Sequence, residues 1–89
     1  MPLPVRVIRH FGLDQSSGVL VAHVEPESPS SAAGLLPGDI ILRLGEQSVA
    51  SLDDLVRLLS SETLGRDIPL DILRHFHPHR LTLTPTEAP

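Results

Sequence analysis

The chain has 89 residues, enough for one domain and too few for two. Seven arginines stand against eleven acidic residues, with no lysine and a net charge of −4, so the phosphate neutralisation that drives nucleic-acid binding has no basic run to use. The absence of cysteine removes disulfides and thiolate metal sites, and no apolar stretch reaches the roughly 18–20 residues that cross a bilayer. A domain of this size buries only about 60% of its unfolded-chain surface. With Phe11 and Phe76 as its only aromatics, its core must be aliphatic. No basic segment followed by an apolar run marks a secretory leader.

Residues 18–24 (GVLVAHV) are aliphatic and β-branched and predict a strand closed by Pro26. Ser28 suits a helix N-cap and Pro29 the first helical position. One short helical turn over residues 30–33 then stops at Gly34. Leu36-Pro37-Gly38-Asp39 predicts a type II turn, with Asp39 able to bond nearby backbone. Residues 40–44 (IILRL) read as the next strand, and Gly45-Glu46-Gln47 as a tight turn into a short strand around Ser48 and Val49. Ser51 is a second N-cap, with Asp53 and Asp54 in the first turn, where the helix dipole favours negative charge. Leu52, Leu55, Val56, Leu58 and Leu59 recur at helical spacing and give a wide apolar stripe, ending near Ser60 or Ser61. Past the Gly65-Arg66-Asp67 loop, residues 68–74 alternate, with Ile68, Leu70 and Ile72 against Asp71 and Leu73. A turn over residues 75–79 and a second alternating run over 80–84 complete a terminal β-hairpin, and residues 85–89 are expected to fray. Strands mixed with two helices of unequal length suggest an α+β domain.

The ordered series Gly18-Val19-Leu20-Val21, Val24-Glu25-Pro26, Ser28-Pro29-Ser30-Ser31-Ala32-Ala33-Gly34-Leu35, Gly38-Asp39-Ile40-Ile41 and Gly45-Glu46-Gln47-Ser48-Val49, followed by the Leu/Asp helix, resembles PDZ domains of the bacterial HtrA/Deg type. It runs from about Gly18 to Thr84. The resemblance implies an α+β, PDZ-like fold: a partly open β-barrel of five to six strands capped by two helices, one short and one long. It divides the chain into an N-terminal segment, 1–17, a PDZ-like domain, 18–84, and a disordered tail, 85–89.

Such domains take a partner's C-terminal segment as an added strand beside the long helix, while a loop of backbone amides holds the terminal carboxylate. Alternate ligand side chains enter pockets, because strand side chains point to opposite faces. Carried over by position, Leu52, Val56 and Leu59 would face the ligand, and Leu55 and Leu58 the core. Leu52 stands where a histidine would hydrogen-bond a ligand Ser or Thr, so apolar ligand side chains are expected. Without the resemblance, such a stripe reads as ordinary core. The carboxylate loop of the family is a hydrophobic-Gly-hydrophobic segment lying before the GVLV strand, and among the seventeen residues before Gly18 the one candidate is Phe11-Gly12-Leu13. Only Asp14 to Ser17 separate that match from the next strand, too few for a strand and a turn. In the family the stretch matching residues 4–18 follows the loop and its strand, often as a helix. That placement leaves the loop and strand outside the chain or absent from the protein. Val5-Arg6-Val7-Ile8 is β-like by propensity, whereas the family analogy favours a helix starting near Pro4. Both remain open.

His75, His77 and His79 alternate through the expected turn and are the one set that could chelate Zn, Ni or Cu, but the position matches a variable hairpin tip in the family, and no resident metal or other cofactor is assigned. His10 and His23 read as surface or half-buried residues. Serine, histidine and aspartate are all present, yet no serine sits in a Gly-x-Ser-x-Gly or Gly-Asn-Ser-Gly setting, so no catalytic residue is assigned and the chain is not expected to be an enzyme. The resemblance implies recognition of extended hydrophobic C-termini of peptides or proteins, serving substrate recognition or regulation for an HtrA-type serine protease in the periplasm or cell envelope. Neither nucleic acid nor membrane insertion is expected. The competing reading is a truncated or non-binding scaffold that forms a homodimer through an exposed sheet edge.

Overall fold

A computed structural model describes residues 1–59 and 64–85. The elements, in chain order, are α1 (Val5–Phe11), β1 (Val19–Leu20), α2 (Pro29–Ala33), β2 (Ile40–Leu44), β3 (Gln47–Ser48), α3 (Leu52–Leu58), β4 (Ile68–Arg74) and β5 (His77–Leu83). The fold is α+β, an open antiparallel sheet of five strands with three helices. β2 lies at its centre, bonded to β1, β3 and β4, and β5 completes the far side against β4.

The third helix is the N-terminal one. β-like propensity over residues 5–8 yields to position: Pro4 presets the entry, Arg9 and His10 sit in the last turn, and Gly12 closes the helix in the left-handed conformation. One face of α1 then buries Val7 beside Leu3, with Ile8 and the following Leu13 packed at the margin, against Ile40, Leu42 and Leu73. Burial of an apolar face outweighs the few tenths of a kcal/mol per residue by which valine and isoleucine disfavour a helix.

The sheet therefore has cores on both sides. Ile41, Leu44, Val49, Leu70 and Ile72 form the main one, with Leu35 and Leu83, and Leu55 and Leu58 of α3 pack against it. The register explains how IILRL is buried almost throughout. Ile41 pairs with Ile72 and Leu44 with Leu70 on the main-core face, and Ile40 pairs with Leu73 on the α1 face. A bulge between Ile41 and Arg43 inserts Leu42 as an extra residue, so β2 feeds both cores.

Local signals set the turns. Ser28 Oγ accepts from the Ser31 N–H at 3.2 Å, with Pro29 at the first helical position of α2. At residues 36–39 the Asp39 N–H donates to the Leu36 carbonyl at 3.1 Å while Gly38 sits at φ +95°, the type II turn expected from Pro37-Gly38. Two strand boundaries differ from the sequence reading. β1 is short because β2 begins only at Ile40: Val21 still exchanges hydrogen bonds with Gly38 and Asp39, and beyond it residues 22–24 have no strand to pair with. The terminal turn is also tighter than residues 75–79. It consists of His75 and Phe76 alone, both at positive φ, and His77 and His79 belong to β5, where Pro78 pairs with Leu73. The expected end of the long helix at Ser60 or Ser61, and residues 86–89 of the expected tail, lie outside the described residues.

Gly18 marks the closest backbone approach. A Cβ there would lie 2.7 Å from Ile40 Cγ2 and 2.8 Å from the Ile41 carbonyl oxygen, and the latter is backbone that cannot rotate away. Gly18→Ala is expected to destabilise by about 1–3 kcal/mol through overpacking, read as a drop in thermal midpoint of roughly 4–8 °C per kcal/mol.

Candidate functional site

Helix α3 starts where its polar groups are satisfied. Ser51 Oγ accepts from the Asp54 N–H at 3.3 Å, and the Asp54 carboxylate accepts from the Ala50 N–H at 3.1 Å. The Ala50 N–H bond, with Arg57 alongside, holds the Asp54 carboxyl below its ordinary value. The start is anchored to the chain before β1 by Ser17 Oγ, which donates to the Ala50 carbonyl at 2.8 Å. Gln15, buried, reaches across to donate to the carbonyls of Leu42 and Val49, each at 2.9 Å. The sequence did not single out Gln15. In the polar run Asp14-Gln15-Ser16-Ser17 it reads as a loop residue, and only the long-range partners reveal its role.

The apolar stripe of α3 splits in two. Leu55 and Leu58 pack against the main core. Leu52 and Val56 are each 63% exposed and Leu59 is 39% exposed, so one turn-spaced row faces outward. The structure brings these three side chains together and places Phe11-Gly12-Leu13 elsewhere. That segment is the end of α1, on the opposite core, where Leu13 is half-buried. Its amides are already used: the Gly12 N–H donates to Arg9 O at 3.3 Å and the Leu13 N–H to Ile8 O at 2.9 Å. It therefore offers no free pair of amides to a carboxylate.

β1 is an edge strand of the sheet. Its outer edge meets the start of the chain: Pro2 bridges Ser17 in antiparallel register, the Gly18 N–H donates to Met1 O at 2.9 Å, and the Met1 amino group donates to Gly18 O. Beyond that contact, Leu20 is 49% exposed.

A family model described as PDZ domain matches residues 5–84. The chain belongs to the PDZ family. This PDZ domain is of the HtrA/Deg type. A probable periplasmic serine endoprotease, DegP-like, of Halomonas elongata is 32% identical over 88 residues, 99% of this chain and 19% of its own length. The putative serine protease HhoB of Synechocystis is 32% identical over 78 residues, 88% of this chain and 19% of its own. The solved HtrA-type protease AlgW with decapeptide superposes at a TM-score of 0.76 with 27% identity, over all of this chain and 28% of that one. The domain thus spans about a fifth of the length of these curated relatives. Among the described residues no group of three or more His, Cys, Asp or Glu side chains is arranged to hold a metal, and no helix is long and apolar enough to cross a membrane.

Proposed function

We propose that this PDZ domain binds the extended, apolar C-terminal segment of a peptide or protein against the outward row Leu52, Val56 and Leu59, and that it serves substrate recognition or regulation for an HtrA-type serine protease outside the cytoplasm. The observation that carries the reading is the split of the α3 stripe. Leu52 and Val56 on the helix and Leu59 at its C-cap face solvent, while the helix's other apolar residues, Leu55 and Leu58, are half-buried against the core. Exposed apolar side chains grouped on one side of a helix mark an interaction site. Membership of the PDZ family supplies the mode, strand addition beside a helix. A neighbour solved with a decapeptide and relatives described as periplasmic serine endoproteases supply the context. With Leu52 at the first helical position, the row prefers apolar ligand side chains, since no donor is present there for a ligand hydroxyl. The carboxylate grip is not assigned to Phe11-Gly12-Leu13, whose amides serve the end of α1.

The test is a titration of the isotope-labelled domain with a hydrophobic C-terminal peptide, as free acid and as amide. Shifts centred on Leu52, Val56 and Leu59 are expected, larger for the free acid. Val56→Asp is expected to weaken binding by about tenfold or more while changing stability by no more than about 0.5 kcal/mol, because the site is exposed. No shift with either peptide sinks the reading. Self-association through the outer edge of β1, favoured by the exposed Leu20, is the second reading. Concentration-dependent sedimentation together with silence in the titration would select it.

A further inference from the structure

We propose that the trough between α1 and the tip of the β4–β5 hairpin docks an acidic polypeptide segment carrying bulky apolar side chains. The trough has a cavity of about 520 Å³ whose walls include Arg6, Val7, His10, Phe76, His77 and Pro78. That is ample for one or two large side chains. An adjoining depression of about 420 Å³ shares Pro78 and adds Arg43, His79 and Arg80. Among the described residues no acidic side chain lines the first cavity, and the one that lines the second, Asp71, is already bonded by Arg80 at 2.8 Å. Eleven acids against seven arginines give the chain its net charge of −4. Yet, with Arg80 and Asp71 cancelling each other, this face still gathers Arg6, Arg43 and imidazoles around apolar walls. Arg6 has no ion-pair partner among the described residues. Charge separated in this way favours acidic partners and repels basic ones.

The tip supplies a second, independent observation. His75 and Phe76 occupy the two central positions of the hairpin turn at φ 53° and 61°. Glycine or asparagine adopts this left-handed conformation readily, and a bulky residue does so only against steric strain. The strain presents Phe76, 53% exposed, at the mouth of the cavity. Strained backbone of this kind clusters at ligand clamps. The trough lies on the α1 side of the sheet, whereas α3 packs on the other core, so its ligand does not compete with the α3 row.

The probe is an octapeptide alternating glutamate with leucine, acetylated and amidated so that it offers no terminal carboxylate, beside its glutamine counterpart. Titrated into the labelled 89-residue chain at low salt, the glutamate peptide is expected to shift Arg6, His10, Phe76 and His77 and to leave Val56 unmoved. Binding is expected to fall about tenfold for the glutamine peptide, and as far for the glutamate peptide with Arg6→Glu. The double variant His75→Asn with Phe76→Gly relieves the turn, so its thermal midpoint should hold or rise while docking is lost. Shifts confined to α3, equal binding of the two peptides, no binding, or docking that survives the turn variant each overturn the proposal. Self-association that Arg6→Glu abolishes would assign the face to a second copy and overturn it equally.

Discussion

Leu70→Ala is expected to remove about 3–4 kcal/mol of stability, within the range for large-to-small substitutions at sites that cannot collapse. Leu70 is fully buried at the centre of β4, paired with Leu44 of β2 on one side and Leu81 of β5 on the other. It is walled by residues of the main core that are themselves held in ladders, so the space left by three carbons stays open. A chain of this length has only about 5–13 kcal/mol to lose. The thermal midpoint should therefore drop by about 15 °C or more. Urea denaturation provides the check, with Leu52→Ala as the exposed counterpart. A similar loss in both variants would contradict the division of α3 and β4 into outward and core residues.

Much of this fold is legible because its signals are local. Ser28-Pro29, Pro37-Gly38 and Ser51 each act on backbone within four residues, and each does in the structure what its chemistry dictates. The α3 stripe is legible in period, and which of its leucines face the core follows once the helix is laid on the sheet. What is not legible depends on partners distant in sequence. β1 is shorter than its β-branched run because β2 starts at Ile40. Residues 75–79 contain a proline and look like one loop, but pairing of β4 with β5 carries the ladder to Arg74 and His77 and confines the turn to two residues. Residues 5–8 show the reverse case, in which propensity points to a strand and the α1-side core requires a helix face. The trough beside α1 is invisible for the same reason, since its walls come from residues about seventy apart.

Asp39→Ala is expected to cost about 3 kcal/mol, the lower end for breaking a buried ion pair, since Arg74 can still reach water. Asp39 is 1% exposed and carries more than its turn. Arg74 grips it with two hydrogen bonds, Nε to Oδ1 at 2.9 Å and Nη2 to Oδ2 at 2.7 Å. The Leu36 N–H donates to Oδ2 at 2.9 Å, and Arg74 also donates to the Gly34 carbonyl at 2.9 Å. One carboxylate thus ties the end of α2 and the Pro37-Gly38 turn to the last residue of β4. Hydrogen bonding by Arg74 holds the Asp39 carboxyl below its ordinary value, against the opposing effect of burial. A carboxyl whose folded pKa lies below its unfolded one binds its proton more readily in the unfolded chain. Its contribution is therefore complete above the unfolded value, near 3.9, and disappears as pH falls through the lower folded value. Wild-type chain and Asp39→Asn should differ most in urea midpoint at pH 6–7 and converge below about pH 4. A gap that stays constant down to pH 2.5 would show that the carboxylate charge adds nothing to this junction and that Asp39 acts there through shape and neutral hydrogen bonds alone.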